Sequence, residues 1–567
     1  MNKKFFKILT LGFVLLYTTG CDNFLDKEVL GYSTDENFYD TNYKLQAALN
    51  ATYDVLQMEL FNECDWRFGE ACADDVVSNR EDLTSDEGQL VNFRFTTSNK
   101  WIENRYSVNY KGIHRANQVI ANAHKVRITD TDYETYKSVR EILGQAKFLR
   151  ALYYFNLVKT YGGVPIRPEI EKVDSLVIPR SSAEEVYAYI EKDLREAAIM
   201  LPPGFSSADW GKATETAAVA LLMKVLMYQA TPGEKSEKWE EMMRLGEFAV
   251  DGVSMTFGEI LKYDPAGEDW EAMRKRLWFK PREMNEGTDP YENQDTQLNL
   301  LAGYGVDLTD RYGKKIEYIE QFFQAGEFCT GSVFEIVFKE SADGTLNDDN
   351  EGTAMYYRLC NNQGWENASR NPEMWVIPNI EESLFENDNR RLYIITHHQG
   401  FPIDGENYEF RPGCSTSSKW YTPVKERSKA DENGERTDDN KNRRLIRFAE
   451  VVLMYAEALN ECGFGERALN ELNKTKTLTG NMPYSTGGYG YMRNNIWKER
   501  RIELSYEWDR FFDLVRQKRA AEVLRTYGAT QSSRRGLFFR EGVNEIFPIP
   551  QKEIDISNGL ITQNPGY

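Results

Sequence analysis

The sequence predicts a mainly α-helical protein, built as stacked helical hairpins that flank a long loop-rich region with a few short strands. Three observations predict it. Apolar residues recur three or four apart in the first half, as at Ile142, Ala146, Leu149, Tyr153 and Leu157, the spacing of one buried helix face. That periodicity is lost from about 253 to 440, where Gly, Asp, Asn and aromatic residues are scattered. It returns at 447, in "RFAEVVLMYAEALNECG", and continues toward the C-terminus.

At the N-terminus, Lys3, Lys4 and Lys7 precede an apolar run over 8–17 and the small residues Thr18, Thr19 and Gly20, the pattern of a bacterial secretory signal. A run of about ten residues is too short to span a bilayer. A cut ending in Gly-Cys, with Cys21 as the first mature residue, resembles the bacterial lipoprotein signal, in which that cysteine carries lipid chains that hold a protein on a membrane. Thr18 departs from that pattern, which usually has Leu there. The alternative is a plain secreted protein cut near Gly20. After residue 20 no other run is long enough to span a membrane.

The helix in "EILGQAKFLRALYYFNLVKTYGGVPI" is expected to stop at Gly162-Gly163 and Pro165. In "SSAEEVYAYIEKDLREAAIML", Ser182 is an N-cap with Glu185 three residues on, a capping box, and Pro202-Pro203 ends the helix. "TETAAVALLMKVLMYQAT" is a nearly continuous apolar helix ending at Pro232-Gly233, and a fourth helix follows over about 235–251. Such pairs approach the tetratricopeptide size of about 34 residues. In the middle region "VFEIVF" (333–338) reads as a strand, and "ADGTLNDDNEG" and "ADENGERTDDN" as exposed acidic loops. A segment this long without periodicity is disordered or a functional loop layer, and its many Trp and Tyr residues favour ordered loops. Helices follow over 447–463, 465–476 and 494–519; the last carries Glu499, Glu503 and Glu507 at i, i+4 and i+8.

Composition narrows the function. The formal charge is −20, and removing residues 1–20 takes away three lysines and leaves −23. A surface this acidic repels nucleic-acid backbones, and no basic patch of useful length offsets it. Of seven cysteines, Cys64, Cys72, Cys329, Cys360, Cys414 and Cys462 follow Cys21 without any CxxC pair. Cys64 and Cys72 are close enough to bridge in an exported protein, and buried free thiols are the alternative. Nucleotide-loop, zincin, serine-hydrolase and dinucleotide motifs are absent. Glu499, Glu503 and Glu507 read as a salt-bridged scaffold face rather than acid–base machinery. His397-His398 reads as a loop pair without a metal. No cofactor is expected; the acidic loops 343–352 and 431–440 leave structural Ca²⁺ open, although they lack EF-hand spacing.

Six segments in order resemble the SusD/RagB family of outer-membrane lipoproteins from Bacteroidetes: "FLRALYYFNLVKTYGGVPI", "IPRSSAEEVYAYIEKDLREA", "GKATETAAVALLMKVLMY", "RFAEVVLMYAEALNECG", "IWKERRIELSYEWDRFFDLVR" and the closing "FPIPQKEI…QNPGY". The start "CDNFLD" also fits members that begin at a lipidated cysteine. The resemblance implies a signal peptide over 1–20 and one SusD-like domain over 21–567. Its helical scaffold with tetratricopeptide-like units would span about 38–251 and 444–567, and a variable loop-rich binding region about 252–443. It implies display at the cell surface on a lipid anchor, where the protein caps a SusC-like TonB-dependent transporter and delivers an oligosaccharide by opening and closing as a lid, without chemistry of its own. A peptide-binding, RagB-like lid is the alternative, with a surface-anchored hydrolase behind it.

Sugars present flat C–H faces to aromatic rings and hydroxyls to charged and amide groups. Candidate ligand-binding residues are therefore Trp66, Asp75 and Arg80, with Asp74 beside them, in "ECDWRFGEACADDVVSNRED", and Trp101 and Asn104 in "NKWIENRY". The Trp–x–x–Asn spacing resembles the site of the starch-binding member. Trp365, Trp375 and Trp420, with Tyr357, are the candidates in the middle region. For Trp101 and these aromatic residues, core packing is the competing reading.

Overall fold

Among the described residues, nine helices of twelve residues or more bury apolar faces against their neighbours, and six of them start at a side-chain cap. The computed structural model describes residues 38–78, 81–129, 132–169, 177–256, 259–260, 297–298, 304–338, 374–376, 384–396, 416–420, 441–530 and 534–567. In chain order the helices are α1 (Asn42–Gln57), α2 (Glu59–Trp66), α3 (Asp86–Val91), α4 (Lys100–Asn122), α5 (Tyr133–Tyr161), α6 (Ala183–Met200), α7 (Glu215–Gln229), α8 (Glu237–Ala249), α9 (Arg391–Ile394), α10 (Phe448–Glu461), α11 (Gly465–Lys476), α12 (Tyr489–Glu503), α13 (Arg510–Arg516), α14 (Ala520–Thr530) and α15 (Gln551–Ile556). The strands are short: β1 (Val76–Ser78), β2 (Met255–Thr256), β3 (Gln297–Leu298), β4 (Ser332–Ile336), β5 (Met374–Val376), β6 (Ile395–Thr396), β7 (Thr416–Ser417) and β8 (Arg443–Arg447). They form two-stranded antiparallel pairs, β1 with β5, β2 with β3, β4 with β8 and β6 with β7.

Local signals set the helix starts. Thr41, Asn99, Asp132, Ser182, Thr214 and Ser236 each accept a first-turn backbone N–H, and Ser182 with Glu185 completes the expected capping box. From α4 to α8, each helix packs on the one before it, and α8 packs on α10 across the intervening region. Gly246 permits that last contact, since a Cβ there would lie 2.2 Å from the Tyr455 ring. Buried polar links fix the register: Arg150 of α5 grips Asp193 of α6 at 2.7 and 2.8 Å, and the Tyr153 hydroxyl donates to the Thr52 carbonyl of α1 at 2.8 Å. One hydrophobic core runs through these helices and takes in β4 and β8. Among the described residues no helix is long and apolar enough to cross a membrane.

A second core joins the loop layer to the scaffold. Trp66, Val76, Phe322, Phe385, Ile394, Trp420, Ile502, Tyr506 and Trp508 are buried together in it. Above it sits an ionic hub. Arg390, fully buried, donates to Glu499 at 2.6 and 2.9 Å, to Glu503 at 3.1 Å and to Asp388 at 2.8 and 2.9 Å. Arg447 pairs with Glu503 and Glu507, and Lys419 with Glu507. The three glutamates are thus salt-bridged, but they do not share one helix. The helix expected over 494–519 breaks at 504–509, where Tyr506 (φ 64°) and Trp508 (φ 71°) are left-handed. The break turns both rings into the second core and lets the Trp508 N–H reach Glu70 at 3.2 Å.

Candidate functional site

Of the sequence-predicted ligand residues, Trp66 and Trp101 meet at the end of α2. After Trp66 the chain makes one wide turn over Arg67–Ala71, closed by a bond from the Cys72 N–H to the Arg67 carbonyl at 3.1 Å. Such a turn shifts side-chain direction within a helix and recurs at functional sites. Here it inserts the Arg67 guanidinium between two rings, 3.9 Å from the Trp66 centroid and 3.6 Å from that of Trp101. Arg67 is anchored from the side by Glu87 at 3.1 Å, and Glu87 also accepts from Ser78.

Trp101 stands in the first turn of α4, half-buried, with Asn99 capping its own N–H at 3.1 Å. Its outward part is available, while Arg67 stacks on its ring. Asn104, three residues on and therefore on the same helix face, is half-buried, and its side-chain amide has no hydrogen-bond partner among the described residues. Among the described side chains of the predicted site, this pair is the part left partly exposed.

The other candidates are placed differently. Trp66 is 1% exposed and packs inside the second core; Trp420 is equally buried, its indole N–H donating to the Tyr506 carbonyl at 2.8 Å. Neither turns a face outward, because long-range partners enclose both. Asp75 is fully buried as well, taking Arg501 at 3.0 Å from Nε and Arg510 at 3.8 Å, beside Asp74, which pairs with Arg510 at 2.9 Å and Arg501 at 2.8 Å. Burial works against ionisation of Asp74, yet the two guanidinium groups outweigh it and hold its carboxyl well below the usual range. Glu70 nearby goes the other way, raised by burial and then by the charge of Asp75. The pair of aspartates is a structural ion cluster rather than an open sugar contact. Trp375 occupies the register position opposite Val77 in the β1–β5 pair. Cys21, Arg80, Tyr357, Trp365, His397, His398 and the acidic loops 343–352 and 431–440 lie outside the described residues.

Cys64 and Cys72 are both free and buried, and burial pushes each thiol up to about 12. Among the described residues no group of His, Cys, Asp or Glu side chains is arranged to hold a metal ion.

Sequence reasoning passed over Trp210. It lies in the turn "PPGFSSADWGK" between α6 and α7, half-buried, and its ring meets that of Phe328 at 5.5 Å and 35°. An aromatic residue in a polar turn, outside any helix periodicity, is the signal that could have marked it.

Comparison with known proteins agrees with this architecture. A family model described as "SusD family" matches residues 399–567, and one described as "Starch-binding associating with outer membrane" matches residues 23–227. SusD-like protein P2 of Formosa agariphila is 26% identical over 581 residues, 99% of this chain and 99% of its own. SusD-like protein P38 of the same organism is 25% identical over 541 residues, 92% of this chain and 93% of its own. Among solved structures, a laminarin binding SusD-like protein is 26% identical with a TM-score of 0.68, covering 93% of this chain and 100% of that one. A SusD homolog from Bacteroides thetaiotaomicron shares the fold at 19% identity, with a TM-score of 0.70 over 94% of this chain and 98% of that one.

Proposed function

The chain belongs to the SusD family, and from that premise we propose that it is a glycan-binding lipoprotein of the bacterial cell surface. It caps a SusC-like TonB-dependent transporter and hands oligosaccharide to it for import. The observation that carries this reading is the 26% identity to a laminarin-binding protein of the same fold across nearly the whole of both chains. The chemistry supports it. A neutral sugar gains nothing from the net charge of an acidic protein, so affinity rests on stacking area and a few directed hydrogen bonds. Trp101 with Asn104 supplies both kinds of contact on one half-open helix face. Binding without catalysis is favoured because Glu499, Glu503 and Glu507 are each committed to arginine or lysine.

Native gel electrophoresis through polysaccharide-loaded gels, followed by a reducing-sugar assay on the same mixtures, tests the reading. Retardation by at least one glycan with no release of products is expected. Product release would replace the binding protein with a surface hydrolase.

A further inference from the structure

Trp210 is the ridge between two openings. One, of about 360 Å³, has Trp210, Phe328, Tyr304 and Arg311 in its walls; the other, of about 270 Å³, runs from Trp210 past Tyr53 and Gln57 at the end of α1. The two share Trp210, Gly211, Lys212 and Glu335, so they form one groove crossed by an indole ring, and its larger half falls within the range of about 300–1,000 Å³ usual for ligand clefts. None of the residues lining it belongs to the Trp101 corner.

The walls are held in place by unusual local structure. Gly211 has φ +96°, and a Cβ there would meet the Val337 side chain at 2.4 Å, so only glycine lets the Trp210 turn lie flat on the end of β4. Phe328 takes a left-handed backbone, φ 55°, disfavoured for a bulky residue, and its N–H is pinned to Glu335 at 2.8 Å. That conformation turns its ring to Trp210. Strain of this kind persists only where the surroundings fix it, and it collects at ligand sites.

The polar groups of the groove divide into those already used and those free. Glu335 accepts from Phe328 and from Asn442 at 2.9 Å and pairs with Arg444 at 3.4 Å. Asp310 accepts from the backbone of its own turn at 2.8 and 2.9 Å, and Lys212 pairs with Asp209 at 2.6 Å. Arg311 differs. Its guanidinium lies 5.7 Å from the Trp210 centroid, it pairs with no carboxylate among the described residues, and its buried Nε makes no hydrogen bond there. The Trp210 indole N–H is likewise without a partner among the described residues. Tyr312, next to Arg311, is 81% exposed. A flat ring, two donors and a second aromatic residue, Phe328, in the wall match a pyranose, which offers a C–H face and vicinal hydroxyls. Asp209, Asp310 and Glu335 against Lys212 and Arg311 leave no surplus positive charge for an anionic sugar.

We propose that the groove across Trp210 is a binding site for a neutral oligosaccharide, with one sugar ring on the Trp210 indole and its hydroxyls accepting from Arg311. The assignment rests on the glycan-binding reading and names a second place where that ligand is held. Calorimetric titration with maltohexaose, cellohexaose and laminarihexaose, on the wild-type chain and on Trp210→Ala, Trp210→Phe, Arg311→Gln and Trp101→Ala, tests it. Helix content and thermal midpoint serve as folding controls. For the oligosaccharide that binds the wild type, Trp210→Ala is expected to weaken affinity at least about tenfold, Arg311→Gln to weaken it too, and Trp210→Phe to retain most of it. Affinity unchanged in well-folded Trp210→Ala and Arg311→Gln, with loss only in Trp101→Ala, would overturn the second site and leave the glycan-binding function standing. Absence of binding to the wild type by all three sugars and by polysaccharide-loaded gels would remove both.

Discussion

Replacing Arg390 with Met should be among the most damaging single changes in the molecule. The guanidinium is fully buried and faces three carboxylates, Asp388, Glu499 and Glu503. Two of them have another cation: Asp388 keeps Lys476 at 2.6 Å, and Glu503 keeps Arg447 at 2.9 Å and the Tyr318 hydroxyl at 3.0 Å. Glu499 would be left with the Thr475 and Tyr484 hydroxyls, at 3.1 and 3.2 Å, and no positive partner. Breaking a buried pair by removing one member costs about 3–5 kcal/mol, because the other charge stays behind unpaired. Denaturant unfolding followed by circular dichroism should show a loss of that size for Arg390→Met, with faster hydrogen exchange concentrated over 384–396, the segment Arg390 ties to α12. Adding Glu499→Gln should recover about half, since a neutral amide needs no cation. A single variant within about 1 kcal/mol of the wild type, or a double variant no better than the single, would refute the hub.

Four further outcomes follow from other parts of the molecule. Glu215 is buried without an ionic partner, and desolvation pushes its carboxyl up to about 8, whereas the unfolded chain ionises near 4.5. Its effect on stability is therefore absent below about pH 4.5 and becomes a penalty as pH rises toward 8, reaching at most about 3 kcal/mol at neutral pH; Glu215→Gln should flatten the melting curve over that window, and an unchanged pH profile would contradict the shift. Asp74 and Asp388 carry the opposite sign, since their carboxyls are held low in the fold, so their contribution should be lost as pH falls below about 4 and acid unfolding should begin there. Cys21→Ala should move the protein from the membrane fraction to the soluble one, and the wild type extracted in mild detergent should co-purify with a large β-barrel transporter; retention of the variant after a high-salt wash, or recovery of the wild type only as a free monomer, would contradict the anchor or the partner.

The helical scaffold was legible because its signals are local. The three-to-four spacing in α5, the capping box of α6 and the proline stops before α7 act within a few residues of where they are read. What the sequence hid depends on distant partners. Trp66 and Trp420 stand among polar and charged sequence neighbours, and only the second core, built from segments hundreds of residues apart, encloses them. Asp75 reads as an open hydrogen-bonding group for a ligand until Arg501 and Arg510 arrive from the C-terminal region. The break after α12 carries no Gly or Pro; Tyr506 and Trp508 adopt left-handed backbones because burying their rings outweighs the local preference. Trp210 escaped for the complementary reason, since its partners Phe328 and Arg311 come from a region without periodicity.

The central proposal is that this SusD-family protein holds a glycan and does not cut it. Calorimetric titration of the purified chain with a panel of neutral oligosaccharides and, in parallel, oligopeptides tests that most directly, with the mixtures assayed afterward for new reducing ends. The expected result is saturable heat from at least one oligosaccharide, none from the peptides, and no new reducing ends. Saturable binding of peptides with silence from every sugar would contradict it.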